Sequence, residues 1–193
     1  MPGARRPRAD GDLALDLHAA TSPATSRGPT ATEGARSLTL RPVTEADEPF
    51  LRELYASTRE DELAVVPWTA EQKGGFLGMQ YLARQRHYQE AFPAAADEVV
   101  VSGGQAAGRF TVSRGPSEIL VVDLALMPDF RGAGIGTALL EGLIDESVAT
   151  GTPVDLHVEM FNPARRLYER LGFRAVSESP PYLRMRWSPT EKE

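Results

Sequence analysis

The most informative stretch of the sequence is Arg-Gly-Ala-Gly-Ile-Gly-Thr-Ala, at residues 131–138. It follows an apolar run, Ile119–Met127, which predicts a central strand, and it leads into a helical pattern at 134–150. Where a strand passes through a glycine-rich loop into a helix, unpaired N–H groups and the positive end of the helix dipole converge. Since glycines also let the backbone wrap closely around a ligand, the stretch predicts a phosphate site.

Two common phosphate-binding loops do not fit this stretch. A P-loop has a Lys-Ser or Lys-Thr pair after its last glycine, and the sequence has none there. The dinucleotide fingerprint has glycines at its first, third and sixth positions, and neither the register from Gly132 nor that from Gly134 supplies the last one. Two interpretations remain: an ordinary tight turn, or a loop of the form Arg/Gln-x-x-Gly-x-Gly/Ala, which Arg131, Gly134 and Gly136 match.

A second motif favours the Arg/Gln-x-x-Gly-x-Gly/Ala loop. Asn-Pro-Ala at 162–164, then Leu-Tyr-Glu-Arg-Leu-Gly-Phe at 167–173, follows the glycine loop, and Leu-Ala-Leu-Met-Pro-Asp-Phe at 124–130 leads into it. With these motifs in this order, the sequence resembles the GCN5-related N-acetyltransferases (GNAT) over nearly all of residues 37–188. The resemblance implies an acetyltransferase with acetyl-CoA as its cofactor.

The rest of the sequence predicts a disordered tail at 1–36 and one α/β domain at 37–193. In the tail, 22 of 36 residues are Ala, Gly, Pro, Ser or Thr, a mixture that cannot offset its ordering entropy. Alternating patterns, capping boxes and glycine turns predict the order β-α-α-β-β-β-α-β-α-β-β in the domain. The resemblance adds the GNAT fold: a mixed, mostly antiparallel sheet of about seven strands with helices on both faces, splayed between strands 4 and 5.

Three local features are predicted within this domain. The acidic residues Glu60–Asp61–Glu62 are expected in a loop after the first helix, and Asn162 is expected to cap a helix that has Pro163 in its first turn. The buried stripe of the helix at 134–150 is expected to consist of Leu139, Leu140, Leu143, Ile144 and Val148.

The resemblance also implies where coenzyme A binds. In this family the loop amides hold the pyrophosphate, pantetheine pairs with the splayed edge of the fourth strand, and an Asn lies beside the pantetheine arm. The matching residues here are Leu126, Met127, Arg131, Gly132, Ala133, Gly134, Ile135, Gly136, Thr137 and Asn162. Leu126 and Met127 are expected to contribute main-chain groups, and Arg131 a positive charge at the loop entrance.

Tyr168 matches the frequent general acid of the family. A leaving thiolate with a reference pKa of about 8.5 needs a proton, which a phenol with a pKa of about 10 can donate. The alternative is a packed aromatic residue whose hydroxyl group is satisfied elsewhere. Because the sequence contains no Cys, an acyl-cysteine enzyme is excluded, and direct transfer in a ternary complex is expected.

Three residues are candidates for the base that takes a proton from the substrate amine. His157 lies on the strand face opposite Leu156 and Val158, where some relatives carry a carboxylate. Glu159 shares that face, either as the base or as a partner that orients His157. Asp123 interrupts an apolar strand, where burial would make it a stronger base. The alternatives are a structural histidine and a carboxylate satisfied by a neighbouring backbone group or arginine.

Composition excludes several other functions. There are 21 basic and 27 acidic residues, a formal net charge of −6 and no basic block, which argues against nucleic-acid binding. No metal site is expected. Neither a signal peptide nor a membrane span is apparent, which predicts a cytoplasmic protein without membrane contact. The sequence leaves both a monomer and a homodimer open.

The acceptor is expected to be a primary amine of a small molecule or a peptide. In the family the region before Glu98 usually shapes the acceptor site, and here it contains Glu60, Asp61, Glu62, Trp68, Tyr81, His87 and Tyr88. Acids and aromatics suit a cationic amine, although a solvated loop and core packing account for them equally well. Two other functions stay open: an acyl-CoA-binding module without turnover, and a role in a toxin–antitoxin-type assembly.

Overall fold

The computed structural model describes residues 37–189; the predicted tail at 1–36 lies outside the described residues. The strands are β1 Leu38–Pro42, β2 Ala96–Ser102, β3 Gln105–Arg114, β4 Ile119–Leu126, β5 Val154–Glu159, β6 Arg174–Ser179 and β7 Tyr182–Trp187. The helices are α1 Glu48–Thr58, α2 Glu60–Ala64, α3 Ala70–Ala91, α4 Ile135–Thr150 and α5 Arg165–Arg170. The seven strands form one sheet in the order β1-β2-β3-β4-β5-β7-β6.

The sheet is mixed because β4 and β5 run parallel, whereas its other neighbouring strands pair antiparallel. The parallel pair needs a crossover, which α4 supplies. Helices α4 and α5 pack on one face of the sheet, and α1 and α3 pack on the other. The predicted seven-stranded sheet with helices on both faces is therefore confirmed. Within residues 37–189, no helix is long and apolar enough to cross a membrane.

Two local predictions about the helices need correction. The acidic residues Glu60–Asp61–Glu62 form the first turn of α2 rather than a loop, a position where carboxylates interact favourably with the helix dipole. On α4, Leu139, Leu140 and Leu143 are buried as predicted, but Val148 is 60% exposed. Ser147 is buried in its place, because its hydroxyl group donates a hydrogen bond to the Thr152 carbonyl.

The predicted splay between β4 and β5 begins at a bulge in β4. β3 pairs Val112 with Val121 and Thr111 with Asp123, so Val122 is an extra residue in β4. The pairing of β4 with β5 stops at the same point, since its last pair is Val121 with Leu156. We call the paired half of these two strands the closed end and the part beyond Val121 and Leu156 the open end.

A cluster of charged side chains holds the closed end together. Asp155 of β5 is buried and accepts two hydrogen bonds of 2.7 Å from Arg186 of β7, and two more from the Nε and Nη2 of Arg184. Arg184 also donates to Glu118, which directly precedes β4, at 2.7 Å. Burial opposes the charged form of Asp155, but hydrogen bonds with Arg186, Glu118 and Arg184 keep its pKa at about 2. The cluster links β4, β5 and β7 where the splay starts.

Candidate active site

The glycine loop has the backbone geometry of an anion-binding cradle at the start of α4. Gly132 and Gly134 have φ angles of 73° and 81°, which favour glycine, and a Cβ atom at either would meet no atom within 4 Å. The first helical hydrogen bond runs from the Ala138 N–H to the Gly134 carbonyl, at 3.0 Å. The N–H groups at 135–137 therefore have no acceptor within the helix and face the end where the dipole is positive.

The Arg131 side chain contacts the end of β4 and α1, and it does not place its charge at the entrance of the loop. Its Nε donates to the Leu126 carbonyl at 2.8 Å, and its Nη2 donates to the Ser57 side chain at 3.3 Å. Burial lowers the pKa of Arg131, although the nearby carboxylates of Asp61 and Glu60 oppose that effect. The guanidinium therefore joins the loop to the end of β4 and to α1, which differs from the expected role of a charge offered to phosphate.

The end of β4 offers main-chain groups to the open end. The Met127 N–H donates to the Ala107 carbonyl at 2.8 Å, so this group pairs with β3 and is not offered at the splayed edge. Since successive residues of a strand direct their main-chain groups to opposite edges, those of Leu126 face the open end. The Leu126 carbonyl already accepts a hydrogen bond from Arg131. The Leu126 N–H therefore remains as the main-chain donor directed toward β5.

Asn162 shapes the turn before α5 rather than capping the helix directly. Its Oδ1 accepts a hydrogen bond of 2.9 Å from the Ala164 N–H, and α5 begins only at Arg165, with Ala164 in the cap position. The predicted cap is thus displaced by two residues, because Pro163 and Ala164 form a turn that precedes the helix. The turn directs the buried side of α5 toward the core.

Tyr168 lies on that buried side of α5 and is fully buried. Its ring packs edge-on against Phe173, with 6.0 Å between the ring centroids. Its hydroxyl group is buried, and no hydrogen-bond partner for it exists among residues 37–189. Burial and then the negative charge of Asp123 raise the pKa of Tyr168, so it remains a protonated donor at neutral pH. A buried hydroxyl without a partner is costly and marks a position where a ligand atom can accept its proton.

His157 and Glu159 share the face of β5 opposite the core. Leu156 and Val158 point into the core and are fully buried, whereas His157 and Glu159 are partly exposed. The Nδ1 of His157 is buried without a hydrogen-bond partner in the described part of the chain. Burial and then the charge of Arg184 on β7 lower the pKa of His157. The imidazole is therefore neutral at pH 7 and able to accept a proton.

Asp123, the third candidate base, is ion-paired. It is 1% exposed, and its Oδ1 lies 2.5 Å from the Nη2 of Arg84 on α3. An arginine therefore balances the charge of this carboxylate, as in the alternative interpretation, although the two atoms are too poorly aligned for a hydrogen bond. Arg84 was not singled out from the sequence, because α3 and β4 are far apart in the chain and no local spacing relates them.

Arginines of the protein itself cover the aromatic rings that were considered for a cationic acceptor. The Arg84 guanidinium lies 5.3 Å from the ring centroid of Tyr55 and 5.0 Å from that of Tyr88. Arg52 lies 5.1 Å from the ring centroid of Tyr81. These tyrosines are buried, so they form packed cation–π contacts rather than an open cage.

A cavity of about 220 Å³ lies between α3 and strands β2 and β3. Its lining residues are Gln85, Tyr88, Gln89, Phe92, Pro93, Ala95, Asp97, Arg109 and Thr111. Of the residues considered for the acceptor site, only Tyr88 belongs to it, and the glycine loop, β5 and α5 contribute none. Trp68 instead packs edge-on to Phe76 at 5.3 Å between ring centroids.

The residues of the open end fit coenzyme A. The N–H groups at 132–137 suit the pyrophosphate, and the Leu126 N–H suits a pantetheine carbonyl. The buried Tyr168 hydroxyl has no hydrogen-bond partner among residues 37–189, so it is free to donate to a thiol sulfur. Among residues 37–189, no group of three or more metal-binding side chains comes together. The site therefore has the groups for binding a phosphate-bearing thioester and for moving protons beside it.

Comparison with known proteins identifies the class. The model of the Acetyltransferase (GNAT) family matches residues 42–173, which include the glycine loop and Tyr168. The chain therefore belongs to the GNAT acetyltransferases, a family that uses acetyl-CoA, and the resemblance of the two motifs is confirmed. No curated protein sequence matches this chain.

Solved structures confirm the fold. The PaiA N-acetyltransferase of Thermoplasma acidophilum, solved in complex with coenzyme A, is 16% identical with a TM-score of 0.60, over 79% of this chain and 99% of that one. An acetyltransferase of Thermus thermophilus is 22% identical with a TM-score of 0.56, over 79% and 97%. The ribosomal-protein-S18-alanine N-acetyltransferase of Escherichia coli is 21% identical with a TM-score of 0.51, over 81% and 97%.

Proposed function

We propose that the protein transfers an acetyl group from acetyl-CoA to a primary amine of a small molecule or a peptide, directly and in a ternary complex. The observation that carries this proposal is the buried, unpartnered hydroxyl group of Tyr168 at the open end of the described structure, in a chain of the GNAT family. The lack of Cys supports direct transfer, since the chain has no thiol to carry the acetyl group.

The proton chemistry follows from the side chains at the open end. Bound acetyl-CoA supplies the acetyl group and a leaving thiolate. The amine nitrogen forms a C–N bond with the acetyl carbon while the C–S bond breaks. His157 takes the proton that the amine loses, directly or through water, with Glu159 as the alternative acceptor on the same face. Tyr168 gives its phenolic proton to the sulfur. Asp123 is a poor choice of base, because Arg84 already pairs with it.

The experiment that tests this proposal is a thiol-release assay with acetyl-CoA and a panel of amines. The panel contains diamines, amino acids, and peptides with a free N-terminus or a lysine, and mass spectrometry identifies the acetylated product. We expect at least one amine to be acetylated and Tyr168→Phe to reduce its turnover. Tight coenzyme A binding without turnover of any amine would instead identify an acyl-CoA-binding module.

A further inference from the structure

The last residue of β4, Leu126, is held on the side of β3 and left open on the side of β5. The main-chain groups of Met127 pair with β3, since its N–H donates to the Ala107 carbonyl at 2.8 Å. Those of Leu126 therefore point to the opposite edge. The pairing of β4 with β5 ends at Val121 and Leu156, so no strand of the described sheet takes up the Leu126 N–H.

The Arg131 side chain fixes the carbonyl group of Leu126. Its Nε donates a hydrogen bond of 2.8 Å to this oxygen, and its Nη2 donates to the Ser57 side chain at 3.3 Å. A hydrogen bond from a guanidinium is charge-assisted and stronger than one between neutral groups. Since the N–H and the carbonyl of one strand residue point to the same edge, a bond that fixes the carbonyl also orients the N–H.

Gly108 of β3 brings the two strands close together at the same residue. Gly108 is the partner of Leu126 in the pairing of β3 with β4. A Cβ atom at Gly108 would overlap the Ala125 carbonyl oxygen and lie 2.7 Å from the Leu126 Cδ2. A side chain here would therefore push the end of β4 away from β3. The glycine thus sets the position of Leu126, while Arg131 sets its orientation.

We propose that Arg131 and Gly108 are positioning residues for the cofactor: together they hold the Leu126 N–H where it can donate a hydrogen bond to an amide carbonyl of the pantetheine arm. The inference rests on the proposed function, because it requires coenzyme A to bind at the open end. Arg131 then acts as a hydrogen-bond donor to the protein backbone, and its charge is not offered to the phosphate groups. These two roles predict different results for neutral replacements of Arg131.

Arg131→Met and Arg131→Gln separate the two roles. Both variants remove the charge, but the Gln amide can still donate a hydrogen bond to the Leu126 carbonyl. We expect calorimetry to show a coenzyme A affinity about tenfold lower in Arg131→Met, as for one lost hydrogen bond, and within about threefold of wild type in Arg131→Gln. Equal losses in the two variants would overturn the inference, because charge would then be the property that matters.

A ligand without the pantetheine arm gives a readout that general damage to the fold would not imitate. The compound 3′-phospho-ADP carries only the nucleotide and the pyrophosphate of coenzyme A. We expect Arg131→Met to bind it as tightly as wild type does, measured by competition with radiolabelled coenzyme A. A loss of affinity for 3′-phospho-ADP as large as that for coenzyme A would contradict a role that acts through the pantetheine arm.

Leu126→Pro removes the proposed donor itself. Proline is tolerated in a strand where the N–H faces away from the hydrogen-bonded neighbour, as it does at Leu126. The variant should lower coenzyme A affinity about tenfold, and adding Arg131→Met should cause little further loss, since both changes act on one hydrogen bond. Losses that add to about a hundredfold would show that Arg131 acts elsewhere.

Gly108→Ala tests the contact with β3. It should lower the affinity for coenzyme A more than that for 3′-phospho-ADP, whereas Gly142→Ala, in open space on α4, should change neither. Unchanged coenzyme A affinity in Gly108→Ala would overturn the role of this glycine. Should Gly108→Ala or Leu126→Pro not fold, the comparison of Arg131→Met with Arg131→Gln still decides the inference. A wild-type protein that binds coenzyme A and acetylates no amine would instead refute the proposed function, while these binding measurements keep their meaning.

Discussion

The two ends of the β4–β5 pair differ in how completely their polar groups are satisfied. At the closed end, Asp155 is buried yet receives hydrogen bonds from two arginines. At the open end, the Tyr168 hydroxyl and the His157 Nδ1 are buried without partners among residues 37–189. Buried polar groups thus contribute to stability at the closed end, whereas those at the open end stay available for a ligand. The bulge at Val122 separates the two, since the strands part there.

This comparison predicts that changes at the open end alter binding and chemistry, whereas changes at the closed end alter stability. The largest effect is expected from Gly134→Asp. The new carboxylate would lie in the phosphate cradle, and a side chain at φ 81° is also strained. We expect calorimetry to detect no binding of coenzyme A to this variant.

Two matched variants separate charge from strain. Gly134→Asn has the same shape without the charge and tolerates a positive φ, so it should retain part of the affinity. Gly142→Asp places a carboxylate in open space on the same helix and should bind normally. Equal losses for the Asp and Asn variants at position 134 would contradict an anion cradle.

Tyr168→Phe has the next largest expected effect. The variant keeps the ring against Phe173 and removes only the hydroxyl group. Turnover should fall by about 10²–10³-fold with little change in KM for acetyl-CoA, as for loss of a general acid. Because the hydroxyl has no partner to lose in the described structure, the melting temperature should stay the same or rise. Near-normal turnover would assign the proton donor to water.

Local motifs gave the parts of this site that are continuous in the chain. The glycine loop and Tyr168 could be proposed as site residues because a loop with its helix, and a helix with its turn, are short segments. The order of strands followed from alternating patterns and turns. The side chain of Arg131 could not be placed, because its partners at Ser57 and Leu126 depend on how α1 packs against the end of β4.

The same limit applies to the ion pairs. Arg84 with Asp123, and Asp155 with Arg186, join elements that are distant in sequence, so only the strand register and helix docking bring them together. The bulge that turns Asp123 toward α3 is also a property of the pairing with β3. Sequence alone therefore suggested Asp123 as a base but could not supply its partner.

At the closed end, Asp155→Asn tests the other half of the comparison. Removing one partner of a buried ion pair costs about 3–5 kcal/mol, and we expect about 3, because Arg184 and Arg186 are each one-third exposed. Since the pKa of Asp155 is held at about 2, its contribution is complete above about pH 4 and is lost as pH falls toward 2. Chemical denaturation at several pH values measures both effects.

The exposed pair of Arg114 and Glu146 provides the control for this variant. Its side chains are 46% and 30% exposed, so Glu146→Gln should change stability by less than about 1 kcal/mol. Coenzyme A affinity should remain within about threefold of wild type in both variants. A large loss of affinity in folded Asp155→Asn would show that the two ends are not independent.

The smallest expected effect on catalysis belongs to His157→Ala, and it depends on pH. Burial and then the charge of Arg184 lower the pKa of His157. The imidazole is therefore neutral at pH 7, stays neutral to a lower pH than an ordinary histidine, and can accept a proton. Its removal should reduce kcat/KM about tenfold near pH 7, and the defect should shrink above pH 8, where more of the amine is already deprotonated.

Glu159→Gln is the matched variant on the same strand face. If Glu159→Gln had a kcat/KM defect that shrinks above pH 8 and His157→Ala had none, Glu159 would be the base. A defect in His157→Ala that is constant with pH would mean that His157 acts in packing or substrate binding rather than as a base.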